Sequence, residues 1–423
     1  MDWFRLTTFF ALLLDFLLSV SMFDENSYVV VFYHTISTEV ILESQWAILI
    51  GLITLRLAEV LILKGSQRTA VLQQSQNYFT TVIKRPHLLY GLIILVGFGN
   101  IFMIISGVSG FGNSSEENLT GVTSLIFTLV HSTSHFVLLV LAYFRFSDHN
   151  EKHKILNLFF VFYFLVSVFT GFLSGMKENV ITPFILVSIP YFLSGRKLPV
   201  VPMIIGMCAM LFLYPFNNNY RDLILNPVTQ DLDKPTLLGL AFIKTFSFDN
   251  SDDNAPSISD SSEMYGNRFF AFKPLMFGVE NEEVWNEYKY MDRYIYIPIS
   301  WILPRFLIPD KPRSNTGKVL YKQFIRDDDV SITPSTYGWS YMEGGLLPVA
   351  ISFFLFGAFC SYIQKTINIS SVFGITVFAM IVIKMLKVEA DIYFRIVGIC
   401  QLILVNYILV KLLFVQKEIH VKS

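Results

Sequence analysis

Apolar residues gather in long runs along this chain, separated by short polar stretches. A helix needs about 20 mainly apolar residues to cross a hydrocarbon core about 30 Å thick. Ten runs are plausible spans: residues 4–22, 45–63, 87–107, 121–144, 155–174, 179–194, 198–215, 346–364, 371–389 and 394–414. The pattern therefore predicts about ten transmembrane helices. Asp15 interrupts the first run, Arg56 and Glu59 the second, and the sixth is short. Tyr28–Tyr33 is apolar but too short to span, so it reads as an interfacial segment.

The seventh and eighth runs are joined by residues 216–345, a connection far longer than compact folds usually use. The chain thus divides into a helical membrane region at 1–215 (about seven spans), the large loop at 216–345, and a second membrane region at 346–423 (about three spans). Inside the loop, 236–246 and 264–277 alternate apolar and polar residues at helical spacing. Residues 247–262 are rich in Asp, Ser and Asn, a composition that predicts flexibility. From 288 to 307, Tyr288, Tyr290, Tyr294, Tyr296 and Trp301 read as an interfacial belt or a re-entrant dip.

Charge assigns the orientation. Cytoplasmic connections of membrane proteins are enriched in Lys and Arg. Lys64, Arg68, Lys84 and Arg85 mark one connection, Arg145, Lys152 and Lys154 the next but one, and Arg196 and Lys197 the next but one again. The turn at 107–121 carries Glu116 and Glu117 without a Lys or Arg. Ten helices with both termini in the cytoplasm satisfy this alternation and put 216–345 on the outer face.

Composition agrees with an all-α integral membrane protein. The 423 residues are 53% hydrophobic and 15% charged, with a mean hydropathy of +0.53. A net charge of −1 gives no sign of a nucleic-acid partner. Cys208, Cys360 and Cys400 all fall in apolar runs and read as small packing residues. The first apolar run lacks a small-residue cleavage site after it, which predicts a retained helix. His131 and His135 have metal-binding spacing but no evident third ligand, so a packed pair is the favoured reading. The triplets at Asn113 and Asn118 match glycosylation acceptors and occur by chance. Arg56, Glu59 and Lys384 are intramembrane charges, and Arg56 and Glu59 are spaced to pair.

One feature of the loop stands out. From Trp301 to Arg326 there are six basic residues (Arg305, Lys311, Arg313, Lys318, Lys322 and Arg326) against one acid, Asp310. The whole loop holds 13 Lys/Arg against 18 Asp/Glu, so this is a basic island in an acidic segment. Arg grips phosphate through a planar fork and Lys as a point charge. The island is either a solvated surface or an anion site at the depth of a lipid pyrophosphate. Lys177 in "SGMKEN" and Arg221 in "NNNYRD" are placed to converge on it.

Three stretches, "PRFLIPDKP" (Pro304–Pro312), "TPSTYGWSYMEGGLLPVAISFFLFGAF" (Thr333–Phe359) and "SGMKE" (Ser174–Glu178), resemble the bacterial O-antigen and oligosaccharide repeat-unit polymerases, the Wzy-type membrane glycosyltransferases. Those proteins more often carry Arg where Lys177 stands and Trp where Ile308 stands. The resemblance implies a GT-C-like architecture in a bacterial inner membrane, with the active site facing the periplasm. The implied substrates are undecaprenyl-pyrophosphate-linked glycans, with membrane lipid around them and a polysaccharide chain-length regulator as a candidate partner; no metal or cofactor is implied. Fixed cations at the diphosphate stabilise the leaving group as the glycosyl bond breaks. The candidates for this electrostatic role are Arg305, Arg221, Arg268 and Lys311, with Lys177 and Arg313 also binding the diphosphate. Glu178, Asp222 and Glu343 are candidate bases, and Tyr337, Trp339 and Tyr341 are candidate sugar-stacking rings or interfacial anchors. Two alternatives remain. An O-antigen ligase is expected to hold a His in the outer loop, and 216–345 has none. A flippase or exporter of lipid-linked sugars is expected to line a central cavity with charge and to have short outer loops.

Overall fold

A computed structural model of the chain describes residues 29–31, 34–63, 80–105, 122–146, 154–196 (except 175 and 195), 215–246 (except 217, 218, 225, 227, 230, 231 and 233), 272–280, 294–303 (except 295), 307 and 335–417 (except 368, 370 and 387–389). Helices dominate. In chain order they are α1 (Thr38–Leu63), α2 (Pro86–Ile105), α3 (Val122–Phe146), α4 (Lys154–Leu173), α5 (Lys177–Leu193), α6 (Lys234–Phe246), α7 (Phe272–Glu280), α8 (Ile297–Ser300), α9 (Ser335–Tyr341), α10 (Leu346–Thr366), α11 (Val372–Leu386) and α12 (Ile392–Leu413). Two short antiparallel strand pairs join them: β1 (Val29–Val31) with β2 (His34–Ile36), and β3 (Thr80–Ile83) with β4 (Phe414–Lys417). The fold is therefore mainly but not wholly α, and part of the stretch read as interfacial, Tyr28–Tyr33, is a strand.

Among the described residues, five helices, α1, α2, α4, α10 and α12, are long and apolar enough to cross a membrane. Eight of the ten apolar runs are helical among the described residues; the run at 4–22 and all but the end of 198–215 lie outside them, as do residues 247–262. Helix α1 begins seven residues before its apolar run. Ser37 is its cap, its hydroxyl accepting the Val40 N–H, and the polar first turns carry Glu39, Glu43 and Ser44. Hydropathy finds the part of a helix that lipid covers, so it misses such an end. Of the two stretches with helical spacing in the loop, 236–246 lies within α6, and 272–277 of the second lies within α7, its residues 264–271 falling outside the described ones.

The chain forms two compact units, each assembled from separate stretches. One takes in residues 1–71, 266–368 and 380–403. Here α1 and α10 lie side by side. A Cβ at Gly51 would meet the rings of Tyr337 and Phe353, and one at Gly357 would lie 2.8 Å from the Leu55 carbonyl oxygen and 3.2 Å from the Ala58 Cβ. Residue numbers rise together along the two helices, so they run parallel. Lipid offers no hydrophobic drive for helices to associate, and close approach at small residues supplies packing instead. Ser44, Ala47, Gly51 and Ala58 on α1 and Ser352, Gly357 and Ser361 on α10 are all buried. Helix α7 buries Leu275, Met276 and Val279 and packs on α1 and α9.

The other unit takes in 72–265, 369–379 and 404–423. Its centre is α3, whose residues from Phe136 to Ala142 are all buried. Asn100 on α2 and Tyr163 on α4 both donate to the Ser134 hydroxyl of α3, at 2.7 and 3.0 Å. Arg196, just past α5, donates to the Phe146 carbonyl at the end of α3 and lies over the Phe146 ring. Lys84 donates its backbone N–H to the Leu413 carbonyl, where α12 gives way to β4. Arg196 past α5 thus meets the end of α3, and Lys84 ahead of α2 meets the end of α12.

Candidate functional site

The segment "STYGWSY" folds as α9 with every one of its seven residues buried. Polar residues in such a place need partners. Ser335 sits at φ 65°, and its hydroxyl caps α9 by accepting the Gly338 N–H. Thr336 donates to the Ala390 carbonyl at 3.0 Å and accepts from the Arg395 guanidinium at 2.5 Å. Tyr337 stacks on Phe353, with centroids 4.6 Å apart. Tyr341 donates to Oε1 of Glu43 at 2.6 Å, a bond between residues 298 positions apart. Two glycines then turn the chain into α10. Gly344 and Gly345 have φ of 133° and 85°, a region that L side chains rarely enter.

The start of α12 completes the cluster. Asp391 caps it, accepting the Tyr393 N–H at 2.9 Å. One turn on, Arg395 is only 6% exposed, and its guanidinium lies 5.8 Å from the centre of the Phe356 ring. The Tyr393 hydroxyl donates to Ser300 at 2.6 Å, and Tyr294 donates to Ser352 on α10 at 2.8 Å. The N-terminal ends of α1, α10 and α12 are therefore joined through α9 and the 294–303 stretch. Buried groups set the geometry. Glu43 is an exposed residue whose bond to Tyr341 is part-buried, whereas Glu343 and Asp391 are buried.

Of the residues read from the sequence, this cluster holds Tyr337, Tyr341 and Glu343. The two rings are each 1% exposed, so neither offers a face on which a sugar can stack. That expectation is corrected: Tyr337 fills the space left by Gly51, and Tyr341 orients Glu43. Trp339 is likewise buried. Arg305, Lys311, Arg313 and Arg268 lie outside the described residues. Glu43, Thr336, Asp391, Tyr393 and Arg395 were not singled out by sequence. The signal for Arg395 was present, because it is a cation inside an apolar run. Of the three intramembrane charges that were singled out, Arg56 and Glu59 form an ion pair on α1, and Lys384 packs its side chain beside Gly398.

Lys177, Glu178 and Arg221 belong to the other unit. The "SGMKE" turn is built on Ser174, whose hydroxyl donates to the Gly171 carbonyl and accepts from the Met176 N–H and the Asn179 amide. Lys177 opens α5, and Glu178 is exposed in its first turn. Tyr220 ties "NNNYRD" to the same corner. Its hydroxyl donates to the Leu173 carbonyl, and its ring stacks on Phe216 and packs under Leu237 and Ala241 of α6. Burial pushes this phenol up to about 12, so it serves as a neutral donor. The stretches around Lys177 and Arg221 are thus held at one corner of this unit, while the basic island on which they were expected to converge lies, apart from 301–303 and 307, outside the described residues.

Residues 96–389 match a protein family described as a domain of unknown function, DUF8712. The chain belongs to the DUF8712 family. No curated protein and no solved structure matches it. The DUF8712 stretch includes every site residue expected from the sequence, while Glu43 precedes it and Asp391 and Arg395 follow it.

Proposed function

We propose that this protein is a membrane glycosyltransferase that polymerises undecaprenyl-pyrophosphate-linked oligosaccharide repeat units at the outer face of a bacterial inner membrane. One observation carries the reading: polar and charged side chains at the N-terminal ends of three apolar helices meet around α9, in the part of the chain that resembles repeat-unit polymerases. In the ten-span topology drawn from charge, all three ends lie on the outer side. The contacts of Arg196 with Phe146 and of Lys84 with Leu413 support that topology, because they join helix ends it assigns to one side.

The chemistry required is modest. The acceptor hydroxyl attacks the anomeric carbon, the bond to the diphosphate breaks, and charge builds on the leaving group. Preorganised cations stabilise that charge, and removing one such donor costs about 3 kcal/mol, roughly a hundredfold in rate. Arg305, five residues past the anchored Ser300 in sequence, is the first candidate for this role, and Lys311, Arg313 and Arg268 of the same loop, Arg221 and Lys177 are the further candidates.

The test is genetic. The gene is deleted in its host, and either the wild type or Arg305→Ala is restored before the surface glycan is run on a gel. Wild type restores a ladder, and Arg305→Ala leaves a single repeat unit on the lipid. An unchanged ladder overturns the role of Arg305. A deletion that leaves no repeat unit at the surface points to a flippase instead, and loss of ladder together with accumulation of polymer on undecaprenyl pyrophosphate points to a ligase.

A further inference from the structure

We propose that Glu43, near the N-terminal end of α1, is the group that takes the proton from the attacking acceptor hydroxyl, and that Tyr341 positions it. The inference rests on the glycosyl-transfer reading above and assigns a residue to the step that reading leaves open. A base must be reachable by substrate and held in one orientation. Three described carboxylates lie in the α9 cluster. Asp391 is buried and accepts the Tyr393 N–H as a helix cap. Glu343 is buried in the turn between α9 and α10. Glu43 alone of the three is exposed, and its Oε1 is fixed by a 2.6 Å bond from a phenol that is itself buried.

The phenol is fixed in turn. Tyr341 ends a helix pinned at Thr336 by Arg395 and by the Ala390 carbonyl. The Tyr337 ring, one turn back, is held between Phe353 and Gly51. Such support restricts the carboxylate to a narrow range of positions, which is what proton transfer needs. Glu43 also lies on α1 beside the start of α10, so a group reaching it approaches the same cluster of helix ends. In the step itself, the acceptor O–H proton passes to the Glu43 carboxylate as the acceptor oxygen bonds the anomeric carbon. The electron pair of the broken anomeric C–O bond leaves on undecaprenyl diphosphate, and the carboxylic acid then returns its proton to water.

A purely structural role for the Tyr341–Glu43 bond is separable by experiment. Glu43→Gln keeps an acceptor oxygen for Tyr341 but cannot serve as the base, and Glu43→Ala opens space for a small carboxylate. Detergent-purified wild type and both variants are given the undecaprenyl-pyrophosphate-linked repeat unit extracted from the host lacking the gene. Expected is extension by the wild type, a fall of at least about 100-fold in Glu43→Gln at an unchanged Tm, and partial recovery of Glu43→Ala by added sodium formate. The proposal is overturned if Glu43→Gln turns over within about threefold of wild type, if its Tm drops in step with its rate, or if formate leaves Glu43→Ala unchanged. A wild type that leaves the repeat unit unextended overturns the polymerase reading, and the Glu43 role with it, whereas an active wild type beside an active Glu43→Gln removes Glu43 alone.

Discussion

Arg395 stands one turn inside an apolar helix, nearly out of reach of solvent, and donates to a threonine on another element. A cation in such a place needs hydrogen bonds and a polarisable neighbour, and Thr336 and the Phe356 ring supply them. Arg395→Met removes a charged hydrogen bond and leaves Thr336 without that donor. We expect a loss of about 1.5–3 kcal/mol, read as a lower thermal midpoint of the detergent-solubilised protein. An unchanged midpoint would mean that the bond contributes nothing to the cluster. At this scale the sequence was only partly legible. It marked Tyr337, Tyr341 and Glu343 through a recognisable stretch, but Glu43 reads like Glu39, an ordinary carboxylate on a polar helix end. Its partner lies 298 positions away, and no local spacing reveals such a bond.

Elements were more legible, because hydrophobic runs are long and lipid tolerates few exceptions. The helices α2, α4 and α10 begin within one residue of their apolar runs. Misses occurred where polarity hides a helix, as in the first turns of α1 and in α9, whose hydroxyls and flanking proline and glycines read as a loop. The junction between α9 and α10 makes its own prediction. Gly345 has φ 85° and ψ −147°, a conformation nearly confined to glycine, and nothing lies within 4 Å of where its Cβ would be. Gly345→Ala therefore costs about 1–3 kcal/mol through the backbone alone, and thermal unfolding checks it. Gly357→Ala acts differently, since its Cβ would meet the Leu55 carbonyl at 2.8 Å. There α1 and α10 must separate, and we expect a loss of about 1–3 kcal/mol together with reduced extension activity, because the cluster sits at the ends of the same two helices. Full activity in Gly357→Ala would show that the helix spacing is not transmitted to the site.

For the whole molecule, charge asymmetry gave an orientation that hydropathy alone does not contain. The two compact units were not legible, because each is assembled from stretches far apart in sequence. Orientation is checked by labelling. In a variant whose three cysteines are replaced, a single cysteine at Asn113 is expected to react with an impermeant maleimide in intact cells, and one at Arg196 only after permeabilisation. The reverse pattern would invert the topology and move the ends of α1, α10 and α12 to the cytoplasmic side. Repeat-unit polymerisation is read directly by mass spectrometry of the lipid-linked repeat unit after incubation with the purified wild-type protein. Glycans at integer multiples of the repeat mass, with release of undecaprenyl pyrophosphate, are the expected products; the starting mass alone, with no diphosphate released, rules polymerisation out.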